Sequence, residues 1–311
     1  MSDETYRNLS GEVAVAAGQS LKERDYWLEK LSGNLEKTGF PCDYDYMMAA
    51  PGQAEREAGT GKAAMQFPGE LTAKLSWSSN NSNHRLLMIL MAGLAALLNR
   101  YTGNEDIIIG MPIYKQEIEG RFINTVLPLR NHIRPGMTFR DLLYQVKQTI
   151  DEAVQHQNYP MKALLYELKM PYSEREFPLF DVDLLLGNIQ EKSYIRQIQT
   201  SMRFMFLMRG ENLELEIEYR RAFYAPETVE RIADHLKALL KGALSDVDFP
   251  LSGIELISEA ERKKILEEFN ETGKPNREVG RTPSPGAGTL VEMIREQEAK
   301  TPGNIAVIDA A

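Results

Sequence analysis

Residues 86–109 carry the sequence LLMILMAGLAALLNRYTGNEDIII, in which a helix pattern ends and a strand pattern begins. The first thirteen residues, Leu86 to Leu98, form the longest apolar run of the chain. This run is shorter than the roughly 18–20 residues of a membrane-spanning helix, so it predicts a buried helix. Thr102-Gly103-Asn104 is typical of a helix end, and the run Ile107 to Ile109 predicts a strand buried on both faces.

Hydrophobic periodicity extends this pattern in both directions along the chain. It predicts helices at Leu21–Leu31, from Gly69, from Ser82 to Tyr101, from Thr138 to Val154 and from Pro226 to Leu240, and strands at Ile123–Ile133, Phe180–Leu186, Met202–Met208 and Leu213–Tyr219. Pro128 lacks an N–H donor, so its strand is predicted to lie at a sheet edge or to contain a bulge. Residues 40–62, rich in Gly, Pro, Ala and Glu, predict a loop. Strands and helices mix without strict βαβ alternation, which favours an α+β fold with an open sheet covered by helices.

The charge and composition of the chain exclude several partners and sites. Its 311 residues include 36 basic and 45 acidic side chains, a net charge of −9, whereas a nucleic-acid partner would require a basic face. Cys42 is the only cysteine, so an intrachain disulfide and a Cys-rich metal site are excluded. The acidic start, Met1 to Thr5, lacks the basic and apolar regions of a secretory signal. We therefore expect a cytoplasmic protein with neither a nucleic-acid nor a membrane partner.

The sequence contains no standard catalytic or metal-binding motif. The four histidines stand far apart, outside any HxxxD, HExxH or CxxC arrangement: His84, His132, His156 and His235. Gly61-Lys62 does not complete a phosphate-binding loop, because Arg56 replaces its first glycine and Ala63 replaces its Ser or Thr. A GxSxG nucleophile motif is also absent. The sequence thus assigns no catalytic residue and no metal ligand.

Two polar strings stand out from their surroundings. The first runs from Ile118 to Arg130 and holds Asn124-Thr125, whose amide and hydroxyl groups could line a polar channel or bond to backbone at a strand start. The second is His156-Gln157-Asn158-Tyr159-Pro160, at the end of a predicted helix. Its side chains could serve a function or could satisfy backbone groups of that helix end. The residues alone leave both alternatives open.

Taken in order, these strings resemble the condensation-domain family of nonribosomal peptide synthetases. The segments 25–33, 97–106 and 175–181 are similar to its YW-x-x-x-L-x-G, L-L-x-R-Y-T-G-x-x-D and R-x-x-P-L-F-D segments. Two further motifs of the family, G-x-F-x-N-T with a following arginine and H-Q-x-x-P, are matched by Gly120, Phe122, Asn124, Thr125 and Arg130 and by His156, Gln157 and Pro160. The resemblance covers about residues 21–270.

The resemblance implies a fold, a site and a missing part. The fold is a chloramphenicol-acetyltransferase-like half, a two-layer sandwich of a mixed sheet covered by helices, which forms the C-terminal subdomain of a condensation domain. The eight matched residues would line a substrate channel or have structural duties. The family's HHxxxDG motif, whose second histidine serves the attacking amine, occurs nowhere in the 311 residues. No cofactor is implied in this chain, because phosphopantetheine would belong to a partner carrier domain.

The sequence also indicates how the chain is divided. Residues 1–20 are predicted to be a lead, 21–269 the partial condensation domain, 270–288 a linker rich in Gly, Pro, Thr and Arg, and 289–311 the start of an adenylation domain. The last prediction rests on a resemblance to that domain's opening, F-x-x-Q-x-x-x-T-P-x-x-x-A-V, matched at Gln297, Thr301 and Pro302. We therefore expect an adenylation domain in cis and a carrier domain as a further partner.

Two functions are compatible with these features. One is a non-catalytic docking platform in a loading module, which is favoured by Met1 and a short polar lead just before the YW segment. The other is half of a split condensation enzyme, completed in trans by an N-terminal half that supplies HHxxxDG. An exposed apolar patch on the face left by that half would favour the second function, because such patches mark partner surfaces. A truncated piece of a longer protein is a third interpretation.

Overall fold

The computed structural model describes residue 18 and residues 20–44, 59–115, 124–170, 177–196 and 198–270. Helices in these residues are α1 (Leu21–Lys30), α2 (Gly69–Ser78), α3 (Asn83–Thr102), α4 (Phe139–Gln155), α5 (Met161–Glu167), α6 (Pro226–Ser245) and α7 (Glu259–Asn270). Strands are β1 (Thr60–Gln66), β2 (Asp106–Pro112), β3 (Val126–His132), β4 (Val182–Leu186), β5 (Met202–Arg209) and β6 (Asn212–Arg220). Met1–Ser258 forms one compact unit and Glu259–Ala311 a second, to which α7 belongs.

The predicted helix signals act where the sequence places them. Thr138 and Asp141 form a reciprocal capping box at the start of α4, in which each side chain accepts a hydrogen bond from the other residue's amide. Helix α3 ends at Gly103, whose φ of 73° is a left-handed conformation that glycine adopts at little cost. Pro226 occupies the first turn of α6. The helix starts predicted at Thr138 and Pro226 and the helix end predicted at Thr102-Gly103-Asn104 are therefore confirmed.

Helix α3 runs through the core of the first unit. Its length and hydropathy alone would suit a membrane span, yet 72% of its most apolar stretch is buried inside the protein. Every residue from Leu86 to Leu98 except Met88 is buried. Gly93 allows close packing, because a Cβ there would lie 2.6 Å from a methyl carbon of Leu240 on α6. The predicted buried helix is therefore confirmed.

The six strands form one mixed sheet in the order β1-β6-β5-β4-β2-β3. Strand β4 pairs parallel with β2 and β5, and the other pairs are antiparallel. Among the strands that the structure describes, β3 lies at the edge, where Pro128 stands opposite Gly110 of the neighbouring strand β2. The edge position predicted from Pro128 is confirmed, since an edge strand leaves one side of its backbone unpaired.

The two faces of the sheet differ in polarity. Along β6 the buried side chains Leu213, Leu215, Ile217 and Tyr219 alternate with half-buried Glu214, Glu216 and Glu218. Helices α2, α3, α4 and α6 pack against strands of the sheet, and the apolar side chains of β6 belong to the same core. The resulting two-layer α+β sandwich agrees with the predicted fold class. We call the opposite side of β1, β4, β5 and β6, which carries the glutamates, the polar face.

One loop prediction is partly wrong. Residues 60–62, predicted to belong to a loop, instead open strand β1, which pairs with β6 from Thr60 opposite Arg220 to Gln66 opposite Glu214. Its sequence, TGKAAMQ, has little intrinsic strand preference. The strand forms because β6 offers a free backbone edge, which a reading of local sequence cannot detect. Helix α5 also lacks a sequence prediction, since its seven residues are too few to show a clear period.

Candidate functional site

Asn124 lies just before β3 and binds the backbone of the loop between α4 and α5. Its Nδ2 donates hydrogen bonds to the carbonyl oxygens of Gln157, at 2.6 Å, and Tyr159, at 2.5 Å. Its Oδ1 accepts a hydrogen bond from the amide of Met161 at 2.8 Å. The residue is 7% exposed, so its side chain takes the place of water for three backbone groups. Asn124 thereby joins the two polar strings of the sequence.

His156 ends α4 and packs against α1. Its Nδ1 lies 2.9 Å from the carbonyl oxygen of Glu152, in the last turn of α4. Its ring stacks on that of Tyr26 with 4.2 Å between ring centroids. Its carbonyl oxygen accepts a hydrogen bond from Trp27 Nε1 at 2.8 Å. These contacts agree with the structural alternative for this string, in which the helix end satisfies backbone groups.

The rest of the loop contacts an ion pair between α1 and α5 that was not predicted from the sequence. Pro160 is buried and precedes the first residue of α5, where its missing N–H costs nothing. Tyr159 is fully buried, and its hydroxyl donates to Glu167 Oε1 at 2.6 Å. The other oxygen of Glu167 accepts from Arg24 Nε of α1 at 2.9 Å. Arg24 and Glu167 are 143 positions apart, so no local pattern could have paired them.

Arg130 connects β3 to β2 and to the end of α1. Its guanidinium binds both carboxylate oxygens of Asp106, with Nε to Oδ1 at 2.9 Å and Nη2 to Oδ2 at 2.6 Å. Its Nη1 donates to the carbonyl oxygens of Lys30, at 3.1 Å, and Ser32, at 2.6 Å. Carbonyl groups at a helix C-terminus carry partial negative charge and stabilise a cation there. Arg130, at 8% exposure, is therefore an anchor for α1.

The remaining predicted site residues contribute less. Thr125 is half-buried, and its carbonyl oxygen accepts a hydrogen bond from the amide of Ile113 at 3.1 Å. Gly120 and Phe122 lie outside the described residues. The structure thus brings four of the eight predicted residues into one cluster beside α1, with Arg130 at the end of that helix; the four are Asn124, His156, Gln157 and Pro160. A channel role for them stays a prediction.

A second polar cluster lies on the polar face and was not predicted from the sequence. We call it the charged row: Asp183 of β4, Arg203 of β5, Glu218 of β6 and Lys62 of β1 stand opposite one another in register. Arg203 binds both carboxylate oxygens of Asp183, with Nε to Oδ1 at 2.8 Å and Nη2 to Oδ2 at 3.0 Å. Lys62 Nζ lies 3.0 Å from Glu218 Oε1. Opposite charges on neighbouring strands stabilise their pairing.

The surroundings of the two carboxylates in the charged row shift their pKa values in opposite directions. Burial raises the pKa of the Asp183 carboxyl, although Arg203 opposes this shift. Burial also acts to raise the pKa of Glu218, but hydrogen bonds from Lys192 and Lys62 outweigh it and lower that pKa. Lys192 Nζ lies 2.6 Å from Glu218 Oε1. Glu218 is therefore held in its ionised form by two lysines.

Neither cluster is arranged for metal chemistry. In the part of the chain that the structure describes, no three His, Cys, Asp or Glu side chains converge closely enough to hold a metal ion. The hydrogen bonds of Asn124 go to backbone groups, and those of Arg130 go to backbone carbonyls and Asp106. What these residues can do chemically is to position α1, β3 and the loop before α5.

Comparison with known protein families and sequences finds matches over most of this chain. The family model of the condensation domain matches residues 12–266. Bacitracin synthase 1 from Bacillus licheniformis is 31% identical over 318 residues, which cover 95% of this chain and 6% of the synthase. Gramicidin S synthase 2 from Brevibacillus brevis is 28% identical over 309 residues, which cover 92% of this chain and 7% of that synthase. The chain thus spans a small part of the relatives that it matches.

Solved structures give the same result at the level of the fold. The X-domain in the complex of the X-domain and OxyB from teicoplanin biosynthesis superposes with a TM-score of 0.64 at 19% identity, over 79% of this chain and 60% of that chain. The starter condensation domain of rhizomide synthetase RzmA superposes with a TM-score of 0.55 at 20% identity, over 78% of this chain and 55% of that chain. At these identities the likeness confirms the predicted fold.

Proposed function

This chain belongs to the condensation-domain family of nonribosomal peptide synthetases, and from that premise we propose that it is a C-terminal condensation subdomain that does not itself form amide bonds. Its role is to support and dock an adenylation domain in cis and a carrier domain, which would bear the phosphopantetheine. The proposal includes a cytoplasmic location and an adenylation domain that starts near residue 289.

The use of the family-motif side chains is the observation that carries this proposal. The amide of Asn124 binds three backbone groups, and the guanidinium of Arg130 binds Asp106 and two carbonyl oxygens. His156 contacts the backbone of its own helix through Nδ1. General acid–base catalysis needs a group within hydrogen-bond reach of the proton that moves. The HHxxxDG motif does not occur in these 311 residues. The polar groups of Asn124, Arg130 and His156 instead make hydrogen bonds that hold the fold together.

A docking role has support from a protein of the same fold. The X-domain from teicoplanin biosynthesis is recorded in a complex with OxyB, so a condensation-type fold can serve to bind another protein. Fold likeness alone is a weak guide to function, and the partners proposed here follow from the family instead.

The alternative function, half of a split condensation enzyme, is favoured by one feature of the polar face. Leu185, Met205 and Leu207 line a groove of about 770 Å³ beside the charged row. Met205 and Leu207 are partly exposed, and an apolar strip with a polar rim is typical of a surface that receives a partner. An N-terminal half bound along this groove would supply the HHxxxDG motif.

Intact-protein mass spectrometry distinguishes the two functions. An aminoacyl donor carrier and an aminoacyl acceptor carrier are incubated with this chain, with and without a separately expressed condensation N-terminal half. The matched control is the same half with alanine in place of the second histidine of its HHxxxDG motif. We expect no dipeptidyl carrier in any reaction. Product from the chain alone would overturn the proposal, and product that requires the intact added half would establish the split enzyme.

Docking is tested separately by titrating the chain with the adenylation and carrier domains of its own synthetase in a calorimeter. We expect saturable heat with at least one of the two domains. Absence of heat with both, from a chain that unfolds cooperatively, would remove the docking role even if the condensation assay were negative.

A further inference from the structure

Two of the strands that the structure describes, β3 and β1, lie at the outside of the sheet, and their open edges differ. On β3 the edge is interrupted, because Pro128 has no N–H to donate. The side-chain amide of Gln145 on α4 also lies against this edge, where it bonds to the carbonyl oxygen and the N–H of His132, at 3.0 Å each. A further strand could not pair along β3 without a break.

Strand β1 presents an edge without such interruptions. Its pairing with β6 is continuous over residues 60–66, and the N–H of Arg221 donates to the carbonyl oxygen of Gly59 at 3.1 Å just before it. Because bonded pairs alternate along an antiparallel ladder, the odd-numbered residues bond to β6 and the backbone groups of the even-numbered residues point outward. Among the described residues, no strand pairs with this side of β1. The four even-numbered residues are all exposed: Thr60, Lys62, Ala64 and Gln66.

An antiparallel copy of β1 matches this edge completely. With Ala63 on a twofold axis, Thr60 would stand opposite Gln66 of the second copy. Lys62 would stand opposite Ala64 of the second copy, and each such pair would exchange two hydrogen bonds between backbone groups. This register brings together only residues whose backbone groups point outward, so every outward N–H and carbonyl of the strand finds a partner. The polar faces of the two copies then lie on the same side of the joined sheet.

The charges along the edge are also complementary between two copies. Lys62 is the only charged residue of β1, and its Nζ lies 3.1 Å from Glu216 and 3.0 Å from Glu218 of its own β6. Ala64, which would face Lys62 from the second copy, stands opposite Glu216 of that copy. The short alanine side chain would therefore leave the ammonium group between its own Glu218 and Glu216 of the second copy. Opposite charges on neighbouring strands favour their pairing, and no two lysines would stand directly opposite each other.

We propose that β1 is the interface of a homodimer, in which two copies of this chain pair antiparallel through the strand and form one continuous sheet. Pairing about a twofold axis uses the same surface on both copies and closes the assembly at two. An unblocked strand edge is a ready template for such pairing. One pair of seven-residue strands buries less surface than a standard stable interface, so we expect a dissociation constant of about 10–100 μM. The proposal does not depend on any docking or condensation role.

Sedimentation velocity over a range of about 5 to 500 μM protein tests the proposal, and we expect a monomer that converts to a dimer as the concentration rises. Ala64→Lys should weaken the dimer by about tenfold or more, because the introduced lysine would face Lys62 of the second copy. Within its own copy the new side chain stands opposite Glu216, so the fold is not opposed. The control is Ala73→Lys, which adds the same charge at an exposed position of α2 and should leave the dimer unchanged. Circular dichroism and thermal melting establish that each variant is folded.

Three results would overturn the proposal: a wild-type chain that stays monomeric over the whole range, a dimer that Ala64→Lys does not weaken, and equal weakening by both lysine variants. Cross-linking tests the register, since Ala63 would meet its own copy across the twofold axis. In a Cys42→Ser background, oxidation of Ala63→Cys with copper phenanthroline should yield a disulfide-linked dimer, because facing Cα atoms of such a pair lie about 4.5 Å apart. Ala73→Cys in the same background is the control and should not link. A variant that sediments as a dimer but does not link through position 63 would exclude pairing through β1 in this register.

Discussion

Arg130 and Arg203 lie in different regions of the sheet and make contacts of the same kind. Each projects from a strand and binds both carboxylate oxygens of an aspartate on the neighbouring strand, Asp106 for Arg130 and Asp183 for Arg203. Each also donates hydrogen bonds to two main-chain carbonyls outside the sheet. Arg130 holds the end of α1, and Arg203 holds the turn between β4 and β5.

The two regions differ in how far water reaches the aspartate. The side chain of Asp106 is 29% exposed, whereas that of Asp183 is fully buried. Arg130 belongs to a family motif and Arg203 does not, yet the contacts of the motif residue are as structural as those of the other. Membership of a motif is therefore weak evidence that Arg130 lines a channel. The burial of the paired aspartate instead predicts that Arg203 contributes more to the stability of the fold than Arg130 does.

The largest effect is expected from Arg203→Met. The variant leaves the carboxylate of Asp183 buried without its partner, which typically costs about 3–5 kcal/mol in the free energy of unfolding. Urea unfolding measures this loss. The double variant Asp183→Leu with Arg203→Met should recover most of the stability, because it removes both charges. A single variant as stable as the wild type would show that water reaches Asp183 after all.

Asn124→Ala is expected to have the next largest effect. It leaves two carbonyl groups of the loop before α5 and the first amide of α5 without this partner, and each unsatisfied buried group costs about 1–3 kcal/mol. Since the loop can relax, we expect about 2–4 kcal/mol in total, measured by the same urea unfolding. Asn158→Ala, at an exposed position of the same loop, is the matched control and should change stability by less than about 0.5 kcal/mol. Similar losses in both variants would contradict the role given to Asn124.

Arg130→Met should cost about 1–3 kcal/mol, which is less than Arg203→Met. The reason is that Asp106 can be hydrated once its partner is gone. Because the variant also releases the end of α1, hydrogen exchange should speed up in residues 21–32 more than in β5. Arg134→Met, at an exposed position after the same strand, should alter neither property. If Arg130→Met proved the more damaging of the two arginine variants, the argument from burial would be wrong.

The smallest effect is expected from pH. The pKa of Glu218 is lowered in the folded protein by Lys192 and Lys62, so below neutral pH the unfolded chain binds more protons at this site. The stabilisation is complete above the ordinary glutamate pKa of about 4.3 and is lost as the pH falls through the lower folded value. Thermal melting from neutral pH down to about pH 3 should show a shallower loss for Glu218→Gln than for the wild type. Glu211→Gln, on the exposed turn between β5 and β6, should keep the wild-type slope.

Local sequence predicted most elements of the fold. The capping residue Thr138, the stop at Gly103 and the alternation in β6 each act within a few residues, so the pattern contains their physical cause. Strand β1 could not be predicted in the same way, because its seven residues become a strand only beside β6. The segment from 116 to 123, with Gly120 and Phe122, lies outside the described residues.

For the candidate site, the sequence predicted residues but not their roles. Asn124, His156 and Pro160 were found through a family resemblance, and the structure brings them together through backbone hydrogen bonds. The charged row was not predicted, because its members are spread over four strands and each one resembles an ordinary surface charge in the sequence. Only the register of the strands sets Arg203 opposite Asp183 and Glu218.

The sequence by itself determined the helices and strands with local signals, the family of the chain and the absence of HHxxxDG from its 311 residues. The tertiary structure alone decided which charges meet, such as Arg24 with Glu167, which are 143 positions apart. The physical reason is the separation along the chain over which each interaction acts. Caps, turns and periodicity depend on neighbours along the chain, whereas ion pairs and clefts depend on which strands lie side by side and which face each side chain takes.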